Sequence, residues 1–344
     1  MHLLLWVLVA CTAGHVAPQE ALAGRVSEPF ASAPAGAISA AALETVRTYA
    51  AERSTRGLLV LVHGQLAYEW YAAGTDATTL LDGRSMTKTI TALAFGILQG
   101  EQRIPPVDRP ITETVFPELA RDATRSLITW RDLLEMASGL GNDADQTPLE
   151  APLERTALSI PGLHTPGFAF DDNDANTELL GLAVERASGQ RLATVLSDRL
   201  WRPLGNGEAS IALDGRGRTA YAYCCLLATT RDWARVGQLL LDGGRVGTTQ
   251  VVPRDFVIRM TLPSRNNPDY GWHLWRADDG PGSERAKGRS EPLLEKAMFW
   301  LDGGGAQRIY VLPASGLVVV RMGDEPPDWD DAFVVNTLIR GTRP

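Results

Sequence analysis

The stretch from Ser85 to Gln99 constrains this chain more than any other. Apolar residues fall at Met86, Ile90, Leu93, Ala94, Ile97 and Leu98, the spacing of one buried helical stripe. Ser85 stands where that helix begins, so neighbouring backbone N–H groups lack intrahelical partners and the positive end of the helix dipole lies beside its hydroxyl. A developing oxyanion is favoured there. Lys88 follows about one turn later and shares the face. Burial drives an ammonium toward the neutral amine, which can take a hydroxyl proton. The expectation is a serine nucleophile with a lysine base.

Composition adds modest weight. The 33 basic residues include only three lysines, Lys88, Lys287 and Lys296. Much of that bias is ordinary codon usage, yet a group that must deprotonate near neutral pH cannot be an arginine. With fifteen serines and three lysines in 344 residues, a chance Ser-x-x-Lys arises about one time in eight. Its place at the head of a buried helix is what gives the tetrad meaning.

The remaining bounds are mostly exclusions. An apolar content of 44% suffices for a large core. A net charge of −8 with no basic run excludes nucleic acid as a partner. The five histidines, His2, His15, His63, His164 and His273, show no HExxH spacing, and no CxxC motif occurs. No metal or other cofactor is expected. Cys224 and Cys225 are adjacent and poorly placed for a long-range disulfide, so they read as small buried thiols.

The N-terminus reads as an export segment. Leu3 to Ala10 is a short apolar run, too short to span a bilayer. Leu8-Val9-Ala10-Cys11 looks like a bacterial lipobox, with Cys11 as the lipidation site and the point of membrane attachment. Ala21-Leu22-Ala23 offers a second cleavage site, and no Lys or Arg precedes the apolar run. The lipobox is preferred. The resulting division is an export segment over 1–23, a flexible Ala/Pro/Gly/Ser tether over 24–38 and one domain over 39–340. The expected location is outside the cytoplasm, periplasmic or lipid-anchored.

Along the chain, a helix is expected from Ser39 to about Glu52, then a hairpin of Gly57–His63 and Leu66–Tyr71 around Gly64-Gln65. Further helices are expected at Thr129–Met136, Glu178–Ser188, Thr230–Leu241 and Asp330–Ile339. Strands are expected at Tyr221–Leu227, Tyr270–Trp275, Ala297–Leu301, Gln307–Leu312 and Leu317–Met322. Strands at both ends with helices between them predict an α/β fold of the α+β type. Its antiparallel sheet is built from both termini, with a mostly helical subdomain inserted.

Five segments in order, Ser85-Met86-Thr87-Lys88-Thr89, Leu133–Leu140, Leu179-Leu180-Gly181, Ala228–Asp232 and Ile309–Pro313, resemble the class C β-lactamase-related serine hydrolase family. That family includes penicillin-binding DD-peptidases, carboxylesterases and 6-aminohexanoate-oligomer hydrolases. The resemblance covers roughly residues 40 to 340 and implies the β-lactamase/DD-peptidase-like fold. By position it makes Ser85 the acylated nucleophile and Lys88 the base.

Two departures from the family pattern matter. The second motif, usually Tyr-x-Asn after a Pro-Gly turn, falls on Asp172-Asn173-Asp174 after Pro166-Gly167. Asp172 replaces the proton-shuttling tyrosine; it can relay a proton, or hold Lys88 charged and spoil it as a base. The resemblance places Asn173 and Asp174 with the substrate. The plain alternative for this acidic cluster is a solvated helix cap. The third motif aligns with Leu301-Asp302-Gly303, where the carboxylate-binding cation is gone and an acid would repel a substrate carboxylate. Gly303 and Gly304 would admit the substrate, with the Gly304 and Ser85 N–H groups as an oxyanion hole; the alternative is a glycine bulge.

Other candidates are weaker. Gly83-Arg84-Ser85-Met86-Thr87 is half of a nucleophile elbow, so a histidine base is a poor reading. Tyr221 and Tyr223 read as packing, and Trp272, Trp275 and Trp300 as core or as an apolar substrate wall. The sequence therefore predicts an exported serine hydrolase acting through an acyl-enzyme on a small ester or amide, with β-lactamase activity disfavoured. The alternative is a catalytically degenerate member of the same fold that binds a cell-wall or small-molecule ligand without turnover.

Overall fold

The computed structural model describes residues 17–25, 29–141, 152–277 and 288–342. Cys11, the expected lipidation site, lies outside them. In chain order the first half comprises β1 (Gln19–Leu22), α1 (Ala40–Ala51), β2 (Thr55–Val62), β3 (Gln65–Tyr71), β4 (Leu81–Asp82), α2 (Met86–Gly100), α3 (Trp130–Leu134), α4 (Leu153–Ser159) and α5 (Asp174–Ser188). Then follow α6 (Leu192–Val195), β5 (Ala209–Ala212), β6 (Leu226–Ala228), α7 (Thr230–Leu241), β7 (Arg245–Val246), β8 (Thr249–Gln250) and α8 (Arg254–Thr261). The chain closes with β9 (Trp275–Arg276), β10 (Phe299–Gly303), β11 (Gln307–Leu312), β12 (Leu317–Gly323) and α9 (Asp331–Gly341).

The hairpin forms with its turn one residue earlier than expected, at His63 and Gly64. Both have positive φ, 49° and 77°, the requirement of the two-residue turn that matches strand twist. The main sheet runs β3-β2-β12-β11-β10-β9, antiparallel throughout. Strands from the two ends of the chain thus meet at β2 and β12. Because side chains alternate between faces, Leu58, Val60, Trp300 and Val319 pack under α1 and α9. Leu59, Leu61, Leu301 and Val320 join the opposite core with α2, α5 and α7. Both faces are buried, so these strands read as continuous apolar runs.

The helices begin where capping residues stand. Ser39 accepts from the Ala42 N–H, Thr129 and Asp132 form a reciprocal capping box, and Asp330 accepts from Ala332 and Phe333. Gly189 closes α5 at φ 69°.

Three expectations are corrected. Residues 24–38 are not a loose tether over the described part. Ala33 N–H donates to Leu66 O at 2.9 Å and Leu66 N–H to Ala31 O at 2.8 Å, Phe30 lies under the Arg235 guanidinium, and Ile38 is buried. Small residues and prolines here permit close docking beside β3 rather than disorder. Tyr270–Trp275 is a strand only at its end. Trp272 N–H donates to Met260 O, Gly271 N–H to Leu274 O, and His273 takes φ 55°, so its alternating apolar pattern belongs to a buried turn. Tyr221–Leu227 is likewise a loop until Leu226.

A second sheet, β1-β5-β6-β4, has strands of two to four residues. It places β4 directly before Ser85. Its outer strand β1 lies within the expected export segment: Leu22 is fully buried, and Ala23 N–H donates to Ser197 Oγ at 3.0 Å. Leu22→Ala is expected to lower unfolding free energy by about 2–4 kcal/mol, read from a urea titration.

Candidate active site

The serine turn is built by β4, a glycine and a strained arginine. Asp82 accepts the Arg84 N–H at 2.8 Å and pairs with its guanidinium at 3.2 Å. Gly83 donates to Leu226 O at 2.9 Å; a Cβ on it would lie 2.2 Å from the Trp233 ring. Arg84 holds φ 51°, a costly conformation outside glycine, and so reverses the chain into α2. Met86, Thr87 and Lys88 N–H groups donate to Gly83, Arg84 and Ser85 carbonyls. Ser85 is therefore the N-cap of a 15-residue helix buried from Met86 to Leu98. It is half-buried, and among the described residues no hydrogen bond engages its hydroxyl.

Lys88 lies one turn on, almost wholly buried. Its Nζ is 2.8 Å from Asp172 Oδ1 and 2.8 Å from Asp174 Oδ1. The backbone explains the double contact. Asn173 is the extended N-cap of α5, at φ −125° and ψ 126°, so residues 172 and 174 project to one side and 173 to the other. Asp174 also occupies the first turn of α5, where the dipole favours an anion. Burial alone would lower the pKa of the ammonium. The fields of Asp172, Asp174 and Tyr270, with the Asp172 hydrogen bond, outweigh burial and raise it. Of the two states expected for the lysine, this geometry favours the charged one: an ammonium clamped by two carboxylates.

Asn173, expected beside the substrate, is buried. It is 1% exposed, its Oδ1 accepts the Ala175 N–H at 2.9 Å, and its Nδ2 donates to Leu140 O and Gly141 O, both at 3.0 Å. It caps α5, and its extended backbone turns the two aspartates to the same side. Asp174, expected beside the substrate, is the second clamp on the lysine.

The third motif also divides by face. Asp302 shares the Trp300 side of β10, where Arg308 pairs with it and also with Asp331 at 3.1 Å. It does not meet a substrate carboxylate, which corrects the repulsion expected of it. Leu301, on the site side, is fully buried. Gly303 runs against the serine turn: a Cβ there would lie 2.5 Å from Gly83 O. A Cβ on Gly304 would meet nothing within 4 Å, so this glycine borders open space.

Several site neighbours carry no recognisable motif. Tyr270 is buried, its ring 5.0 Å from Phe170 and 4.8 Å from Trp275. His273 fixes that turn. Its Nδ1 lies 3.0 Å from Leu134 O, an acceptor only, so Nδ1 carries the hydrogen and Nε2 accepts from Thr177 Oγ1 at 2.9 Å. Burial lowers its pKa to about 4, and its carbonyl takes the Thr89 hydroxyl at 2.6 Å. This neutral histidine is structural, not a base. Trp272 and Trp300 are core residues, while Trp275 is half-exposed. Tyr221 and Tyr223 pack edge to face at 5.7 Å. Cys224 and Cys225 are not buried thiols: they form a disulfide with each other and are partly exposed.

The family model described as Beta-lactamase matches residues 43–342, and the chain belongs to that family. A 6-aminohexanoate-dimer hydrolase of Paenarthrobacter ureafaciens is 32% identical over 230 residues, 60% of this chain and 57% of that protein. The match thus spans little more than half the length of the relative. Among solved structures, one from Bacillus anthracis, provisionally described as a 6-aminohexanoate-dimer hydrolase, superposes with a TM-score of 0.76 at 19% identity, covering 94% of this chain and 90% of the other. A penicillin-binding protein homologue of Caulobacter crescentus gives 0.68 at 17% identity over 91% and 97%. A D-stereospecific amidohydrolase of Streptomyces gives 0.66 at 19% identity over 88% and 99%. These likenesses establish the β-lactamase fold.

Lys88→Met leaves two facing carboxylates without a counter-ion. Their partial exposure trims the usual cost of a broken buried pair to about 2–3 kcal/mol. Because the folded pKa of Lys88 is raised, its contribution is complete below the ordinary lysine value and is lost only as pH rises through the raised one. Denaturant titrations should therefore show a constant deficit from about pH 6 to 9.

Proposed function

We propose that the protein is an exported serine hydrolase that forms an acyl-enzyme on Ser85 from an ester or amide lacking a recognition carboxylate. The observation that carries this reading is the unengaged Ser85 hydroxyl at the head of α2, one turn from a lysine held by two carboxylates. The similarity to a 6-aminohexanoate-dimer hydrolase favours hydrolysis over binding alone.

The charged lysine sets the order of proton transfers. Lys88 accepts the Ser85 proton only after passing one of its own to Asp172, converting an ion pair into a neutral acid and amine. A substrate that excludes water favours this conversion, because a neutral pair bears no desolvation cost. Ser85 Oγ then attacks the carbonyl carbon, its proton moves to Lys88, and the new oxyanion sits toward the N-terminus of α2 and Gly304. The protonated lysine returns the proton to the leaving group. Water repeats the cycle on the acyl-enzyme and frees Ser85. One ammonium between two carboxylates gives the site a negative balance, and Leu301 supplies no cation, so a substrate carboxylate is disfavoured.

The export reading extends to processing. Cleavage before Cys11 leaves β1 intact, whereas cleavage after Ala23 removes it and exposes its partner β5. The reading is therefore a periplasmic or lipid-anchored enzyme processed at Cys11; mass spectrometry of the mature N-terminus tests it.

The raised pKa of Lys88 favours a second reading, a ligand-binding member without turnover, in which Asp172 keeps the lysine from acting. A fluorophosphonate should label Ser85 and not the Ser85→Ala variant, and a slow ester should be hydrolysed while nitrocefin is not. Asp172→Asn should lower kcat about a hundredfold with little change in KM. A rise in kcat supports the second reading, and absence of labelling in folded protein overturns the first.

A further inference from the structure

The loop from Ala222 to Leu226 takes no part in the steps above, yet it is tied to both sides of the serine turn. Ala222 N–H donates to Glu178 Oε2 on α5 at 3.0 Å, and Ala222 O accepts from Thr91 Oγ1 on α2 at 2.6 Å. At the other end, Leu226 N–H donates to Thr87 Oγ1 at 3.2 Å, which itself donates to Arg84 O at 2.8 Å. Leu226 O accepts from Gly83 N–H at 2.9 Å. Thr87 and Thr91 are four residues apart and share one face of α2. The loop therefore lies along the first turns of that helix, fastened to the residues on either side of Ser85.

Between these anchors sits the Cys224–Cys225 disulfide. Cys225 holds φ 70°, a conformation unfavourable for a residue with a Cβ. The ring that joins adjacent cysteines keeps it there, one residue from both Leu226 anchors. Both cysteines are partly exposed, so a small reductant can reach them.

We propose that Cys224–Cys225 is a thiol–disulfide modification site that sets the geometry of the Ser85 turn, competent when oxidised and impaired when reduced by a dithiol. The regulation rests on the hydrolase reading above. A reductant thiolate attacks one cysteine sulfur and breaks the S–S bond, and its second thiol resolves the mixed disulfide. Two electrons and two protons end on Cys224 and Cys225, and the dithiol leaves as its own disulfide. Cys225 then relaxes toward negative φ, Leu226 moves with it, and its hold on Gly83 and Thr87 loosens. An oxidising compartment keeps the pair closed, so activity would begin only after export.

The test uses the full chain, oxidised or treated with dithiothreitol, then alkylated and analysed by peptide mass spectrometry. Reduction should add two alkyl groups at Cys224 and Cys225 and lower the ester kcat about tenfold, as a small misplacement of the nucleophile would, with recovery on reoxidation. The variant C224S/C225S should behave as the reduced form under both conditions. C224S/C225G, whose glycine tolerates positive φ without the ring, should keep a higher rate that ignores reductant. Amide hydrogen exchange over Gly83 to Lys88 should rise on reduction whether or not the protein turns over, which separates this inference from the hydrolase reading. Unchanged exchange after complete alkylation, equal rates in the two states, or alkylation of both cysteines without reductant would overturn it.

Discussion

The Lys88 ammonium, held 2.8 Å from each of two aspartates, is the interaction on which the site depends. It joins the first turn of α2 to the first turn of α5, and each helix brings its own constraint. Ser85 caps one and Asn173 the other, so the serine and the carboxylates are fixed by where two helices begin. Burial penalises the ammonium by several kcal/mol, and a single exposed carboxylate would not offset that. Two carboxylates, one of them aided by the α5 dipole, do.

This arrangement changes how a Ser-x-x-Lys pair works. A neutral amine is a base at once; a clamped ammonium is a base only after it has lost a proton to a neighbour. In the proposed mechanism, catalysis is therefore coupled to exclusion of water, since desolvation shifts the balance from ion pair to neutral pair. The remaining structure serves that geometry. The six-stranded sheet brings Gly303 against Gly83, His273 anchors the Tyr270 turn to α2 and α5, and the Ala222–Leu226 loop fastens the serine turn from the other side.

Much of this was legible in the sequence. Helices α2, α5, α7 and α9 carry apolar stripes, the last three with side-chain caps, and the long strands are largely apolar runs, so the pattern locates them. The second sheet was not legible, because strands of two to four residues that pair Gln19 with Ala212 and Leu81 with Ala228 leave no local pattern. Asp172 and Lys88 stand out in the sequence, which leaves open whether the lysine is neutral by burial or held charged by Asp172. The second carboxylate is not legible there, since only the extended cap at Asn173 turns residues 172 and 174 the same way. Asp302 departs from its expected role because strand alternation aims it at Arg308, away from the serine. The adjacent cysteines excluded a long-range bridge but said nothing about a bond between themselves.

The scarcity of lysine makes the central claim directly measurable. With only Lys88, Lys287 and Lys296 in the chain, selective labelling with ¹⁵Nζ and ¹³Cε lysine gives three side-chain signals, assigned by a Lys88→Arg variant. The account predicts that the Lys88 signal keeps the shift of an ammonium through the whole range from about pH 6 to 10, and that Asp172→Asn lowers its titration midpoint. A Lys88 signal that titrates below about pH 8 in the unmodified protein would contradict it.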